Sequence, residues 1–158
     1  MTGRPSREAI EIDDDASAML AEQIGRVGAT GGWINLTPGV PADVAAEPPR
    51  SLFSWLVGSN GPAAPMATWM PSASGADRPG QLGVLHARGR LNREGIAGLV
   101  SVPASWRCLG DHARRGLIFE VKATTDAEIA DVMLAVVEEL TTVPTTGRYL
   151  AEVFVRPG

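Results

Sequence analysis

The stretch from residue 124 to 144, TTDAEIADVMLAVVEELTTVP, decides how the rest of the chain must fold. Thr125 and Glu128 have the spacing of a capping box, which closes the first turn of a helix. Pro144 marks where that helix must have stopped. The stretch therefore predicts a helix over 125–142 that covers a sheet face with one apolar stripe, made of Ile129, Val132, Met133, Val136, Val137 and Leu140.

The segments around this helix predict a β-α-β-β-α-β order over residues 81–155. Strands are predicted in 81–88, 105–110, 116–122 and 148–155, and a weak helix in 91–101 with Asn92 as its cap. This is the order of a ferredoxin-like unit, an α+β fold with an antiparallel sheet and helices on one face. The alternative is a larger antiparallel sheet in which strands 66–70 and 81–88 pair as a hairpin.

The N-terminal half is predicted to extend this unit. Residues 1–12 are expected to be a flexible tail and 13–158 a single α+β domain. Residues 13–28 predict a helix that ends at Gly28, and 31–36 and 66–70 predict strands. The apolar run 51–58 fits either a strand or a single helical turn. The inward face of the helix is formed by Ala16, Met19, Leu20, Ile24 and Val27.

Composition narrows the class of protein. The 158 residues are 44% hydrophobic and 20% charged, which favours a globular fold over disorder. No apolar run reaches the roughly 18 residues that span a bilayer, and the first residues have no signal-peptide core. A single cysteine excludes an internal disulfide. Lys122 is the only lysine beside thirteen arginines, as in GC-rich bacterial genomes. We expect a cytoplasmic bacterial protein without a membrane partner.

Charge is distributed unevenly along the chain. The net charge is −4, yet residues 81–125 carry seven basic against three acidic side chains, between two flanks of −4 each. The basic segment either compensates the flanks within the fold or forms an anion-binding face. The candidate contacts for an anion or a partner are Arg88, Arg90, Arg107, His112, Arg114 and Arg115.

Residues 106–121, WRCLGDHARRGLIFEV, hold the densest polar chemistry. Cys108 falls in the middle of a predicted strand and is expected to be a small buried side chain. Asp111 and His112 are neighbours on a strand and point to opposite faces, so Asp111 is expected to cap its own turn. His86 shares a strand face with Leu82 and Val84 and is expected to be packed. Two histidines and one cysteine indicate neither a metal site nor a cofactor.

Part of the same stretch resembles the pattern of RNA-recognition strands. Arg115, Gly116 and Phe119 stand where that pattern has a basic residue, a glycine and an aromatic ring. Leu117 replaces its first stacking aromatic, and Glu120 adds a negative charge. Because these domains recognise bases by stacking, the pattern gives RNA binding little support.

Three classes of function follow from these observations. Trp55 and Trp69 lie in Pro/Gly-rich surroundings and are candidate interface residues, since Trp is enriched in interface centres. The favoured prediction is a non-enzymatic protein-interaction or homodimerising module. The first alternative is an anion-, nucleotide- or RNA-binding module using segment 86–115. The second is a small enzyme centred on Asp111, His112 and Arg114.

Overall fold

Seven strands and three helices form the part of the chain that the computed structural model describes, residues 3–42, 64–72 and 78–157. The predicted strand 31–36, the strand 66–70 and the weak helix after Asn92 are confirmed, whereas the run 51–58 with Trp55 lies outside the described residues. The elements are β1 (Ser6–Ile12), α1 (Ala16–Thr30), β2 (Trp33–Pro38), β3 (Met66–Met70), β4 (Gly80–Leu85), α2 (Arg93–Leu99), β5 (Arg107–His112), β6 (Gly116–Val121), α3 (Asp126–Leu140) and β7 (Tyr149–Val155).

The strands form one antiparallel sheet in the order β1-β7-β2-β3-β4-β6-β5. The α+β class with an antiparallel sheet is confirmed. The ferredoxin-like arrangement is not, because β2 and β3 lie between β4 and β7 and widen the sheet. The alternative hairpin is present, with Met66 opposite Leu85 and Trp69 opposite Leu82.

The core is built from rows of residues that are paired in register across neighbouring strands of the sheet. Successive strand residues point to opposite faces, so residues paired across strands share a face. One row joins Ala151, Leu36, Ala67, Val84 and Leu117, all fully buried, and ends on β5 at Asp111. The next row joins Val153, Ile34, Trp69, Leu82 and Phe119 and ends at Cys108.

Helices α1 and α3 pack against each other and cover the middle of this face. Helix α1 lies mainly on β7 and β2, and α3 lies on β2 and β3. All six residues of the predicted α3 stripe are buried, which confirms the stripe. In its capping box the Thr125 hydroxyl accepts from the Glu128 N–H, and the Glu128 carboxylate accepts from the Thr125 N–H. The Thr124 hydroxyl and then this N–H lower the pKa of Glu128 below its ordinary value.

The N-terminal residues differ from the prediction in two places. Ser6–Ile12 form β1 along β7 instead of a loose tail, because Ile10 and Ile12 alternate with charged residues and place Ile12 in the core. Helix α1 continues past Gly28 and ends at Thr30. Gly31 takes a left-handed conformation (φ 75°) there, and its N–H bonds the Val27 carbonyl at 2.8 Å.

No described helix is long and apolar enough to cross a membrane.

We predict that Val136→Asp lowers the free energy of unfolding by more than about 3 kcal/mol, because it buries an unpaired carboxylate beneath α3. Glu138→Lys, on the exposed side of the same helix, is the matched control and should change stability by about 0.5 kcal/mol or less. Chemical denaturation of both variants measures the difference. Equal stability of the two variants contradicts the packing of α3.

Candidate functional site

A cavity of about 640 Å³ lies between α2 and β5, at the end of the sheet that α1 and α3 leave uncovered. The α2 side consists of Arg93, Ile96 and Ala97, which share a helix face by their spacing, and of Val100, the extended residue that follows the helix. The strand side consists of residues 108–111. We call this cavity the α2–β5 groove.

Aromatic rings line the inner wall of the α2–β5 groove. Trp106 and Phe119 both line it, and their rings meet edge to face with centroids 6.2 Å apart. Trp106 is 7% exposed, and its indole N–H has no hydrogen-bond partner among the described residues. The groove therefore combines an apolar wall with one unused buried donor.

The outer border of the groove is a sheet edge. Among the described residues, β5 pairs with β6 on one side only. The pairing shifts between Cys108 and Gly110, where Leu109 bulges out and remains 38% exposed. An edge strand presents backbone N–H and C=O groups that a further strand can bond.

A buried His–Asp pair closes one end of the groove. The His86 Nε2 lies 3.0 Å from the Asp111 Oδ2, and the two side chains are 3% and 4% exposed. The Arg88 N–H donates to the His86 Nδ1, so the ring proton sits on Nε2 and is donated to Asp111. The Leu91 N–H donates to the same Oδ2 at 2.8 Å. Both ring nitrogens are used, so the pair holds the β4–α2 connection against β5.

Two guanidinium groups stand at this closed end. The Arg90 Nε donates to the Asp111 carbonyl at 3.2 Å, which fixes the side chain in the lining of the groove. Arg93 lines the groove from the first turn of α2. Neither arginine forms a salt bridge with another described residue. Asp111 is the acidic residue in the lining, and its Oδ2 already accepts two hydrogen bonds.

Most of the predicted anion or partner contacts lie outside the α2–β5 groove. Arg90 lines it, whereas Arg88 is exposed in the β4–α2 connection. Arg107 is paired in register with Glu120, on the face that α1 and α3 do not cover. His112 is half-buried opposite Gly116. The hairpin tip exposes Arg114 and Arg115, as its geometry predicts.

The hairpin itself depends on Gly116. Its φ is +72°, and a Cβ there would lie 2.1 Å from the Val84 carbonyl oxygen. The strand β6 can re-enter the sheet only with a glycine at this position.

Three expectations for polar residues can now be compared with the structure. His86 is packed, as expected. Asp111 does not cap its own turn. It lies on the buried face, where the nearest donors belong to His86 and Leu91. Cys108 was expected to be buried and is exposed, because its register row ends at a strand that no helix of the described residues covers.

The remaining site residues complete this comparison. Trp69 is 5% exposed and belongs to the core, so its ring is not on the surface. Asp111 pairs with His86, and its side chain lies on the opposite strand face from that of His112. Within residues 3–42, 64–72 and 78–157, no group of three His, Cys, Asp or Glu side chains could hold a metal ion.

Sequence reasoning missed the α2 side of the groove. Arg93, Ile96, Ala97 and Val100 recur at helical spacing, which was the available signal. Nothing in the local pattern indicated that β5 would be the edge strand next to them.

We predict that Asp111→Ala lowers the free energy of unfolding by about 2–4 kcal/mol, because it strips buried donors of His86 and Leu91 of their acceptor. Asp111→Asn keeps an acceptor oxygen and should cost clearly less, and His112→Ala should be mild. Chemical denaturation gives the ranking. If Asp111→Ala and His112→Ala were equally mild, the pair would not be the structural link described above.

No protein-family model, curated protein or solved structure matches this chain. The geometry of the α2–β5 groove is therefore the basis for inferring a function.

Proposed function

We propose that the protein is a non-enzymatic interaction module that binds an extended polypeptide segment along β5. The observation that carries this proposal is a groove of about 640 Å³, with an apolar wall and a polar end, beside a sheet edge that is unpaired among the described residues. In recognition by strand addition, backbone hydrogen bonds to the edge provide affinity and a neighbouring pocket selects side chains.

The volume and lining of the groove suit such a ligand. Cavities of roughly 300–1,000 Å³ hold small ligands, so this one has room for one or two large apolar side chains. Alternate side chains of an added strand point to the same face of the sheet. On this face they would enter between Ile96 on α2, Val100 just after it, and Phe119 on β6.

The Trp106 indole adds a polar preference. A buried donor without a partner costs about 1–3 kcal/mol. A ligand carbonyl that reached the Trp106 N–H would remove this cost on binding, whereas a purely apolar ligand would not. This favours a polypeptide over a hydrocarbon-like molecule.

A second candidate is the binding of a polyanion such as RNA. The favouring observation is that none of the six arginines in segment 86–115 has a salt-bridge partner among the described residues. The burial of Phe119 (1% exposed) argues against base stacking at the RNP1-like position.

We predict that Arg114→Ala with Arg115→Ala costs no more than about 1 kcal/mol of stability, because exposed charges contribute little. The double variant should bind heparin or single-stranded RNA more weakly only if the second candidate holds. Loss of RNA binding with an intact groove would replace the peptide proposal with this one. Thermal unfolding and filter binding give the two readouts.

The peptide proposal can be tested with the single cysteine as a reporter. Peptides selected by the full chain from a phage-displayed library of random decapeptides should slow the reaction of Cys108 with a thiol reagent by about tenfold or more. They should also protect β5 backbone amides from hydrogen exchange. Both effects follow from a strand seated on β5 beside Cys108.

The variant Ala97→Trp should fill the groove from an exposed position and weaken peptide binding by about tenfold or more. Gly98→Trp, next to it but outside the groove lining, is the matched control. Peptides that bind both variants equally, without protecting Cys108, would contradict the proposal. Protection of Cys108 that rises with protein concentration in the absence of peptide would identify a second copy of this chain as the occupant.

A further inference from the structure

We infer that the bound segment presents a carboxylate, held between Arg90 and Arg93 at the closed end of the α2–β5 groove. This inference rests on the proposed function and specifies the chemistry of its partner. The proposed ligand is an extended segment that carries an apolar side chain and a negatively charged group next to it.

Charge complementarity carries the inference. The groove lining contains two guanidinium groups, neither with a salt-bridge partner among the described residues. Its acidic residue, Asp111, is 7% exposed and accepts hydrogen bonds from His86 and Leu91. Two guanidinium groups therefore stand against a single carboxylate, which leaves the lining with an excess of positive charge.

The orientation of Arg90 supports this role. Its Nε is held by the Asp111 carbonyl, which leaves the two terminal nitrogens as the donors available to a ligand. The carbonyl belongs to the residue that the His86 pair fixes against the β4–α2 connection. A guanidinium oriented in this way loses less conformational freedom when it binds a carboxylate.

The surroundings strengthen the contact. Leu91 and Ile96 line the groove next to the two arginines. Arg90 and Arg93 are exposed in the free protein, and their hydrogen bonds to a carboxylate would become stronger where a bound segment and these apolar side chains exclude water. The carboxylate can come from an aspartate or glutamate side chain or from the C-terminus of the segment.

The experiment compares two decapeptide libraries, one displayed with a free C-terminus and one within a loop, both selected against the full chain. Groove-binding peptides from the loop library should be enriched in Asp and Glu if a side chain supplies the carboxylate. Groove-binding peptides from the free C-terminus library should lose binding when the C-terminus is amidated if the terminus supplies it. These two results distinguish the sources of the carboxylate. Arg93→Ala should weaken the selected peptides by about tenfold or more, and Arg93→Lys should recover part of the loss.

Arg93 is the test position because Arg90 also bonds the Asp111 carbonyl. Arg114→Ala, at the hairpin tip outside the groove lining, is the charge-matched control and should change affinity by less than about twofold. If the selected peptides bind Arg93→Ala as tightly as the unchanged protein and still protect Cys108, the carboxylate inference is wrong and the strand-addition proposal remains. Selected peptides that bind the Ala97→Trp variant as tightly as the unchanged protein would overturn both the carboxylate inference and the strand-addition proposal.

Discussion

The alternation of side chains along the strands is the constraint on which the rest of this structure depends. It places the apolar residues of six neighbouring strands on one face, in register rows such as Leu36, Ala67, Val84 and Leu117. Both long helices must then lie on that face to exclude water from it. The groove, the buried His–Asp pair and the exposed cysteine are all found where these rows end.

Coverage of the rows is uneven, and this creates the site. Among the described residues, helices α1 and α3 lie over the strands from β7 to β3, and α2 is the helix beside the end formed by β4, β6 and β5. With seven residues and Ile96 as its one buried side chain, α2 is too short to seal that end. The space beside β5 that remains is the α2–β5 groove, with Cys108 on its border.

The His86–Asp111 pair explains how a carboxylate can occupy a core row. Asp111 follows Leu117 in the row that crosses the sheet, a position where an unpaired charge would be costly. N–H groups of His86 and Leu91 donate hydrogen bonds to the Asp111 carboxylate. The same bonds hold the β4–α2 connection against the sheet edge. A structural network thus also positions Arg90 at the closed end of the groove.

Local pattern by itself determined the helix over residues 126–140, its capping box, its buried stripe and most of the strands, because each depends on neighbours within a few turns of chain. Only the tertiary structure decided that β2 and β3 separate β4 from β7, that Asp111 pairs with His86, and that β5 is an edge among the described strands. Strand order depends on contacts between residues far apart in sequence, which no local periodicity encodes. For the same reason the sequence indicated Arg90 but neither the groove nor its α2 wall.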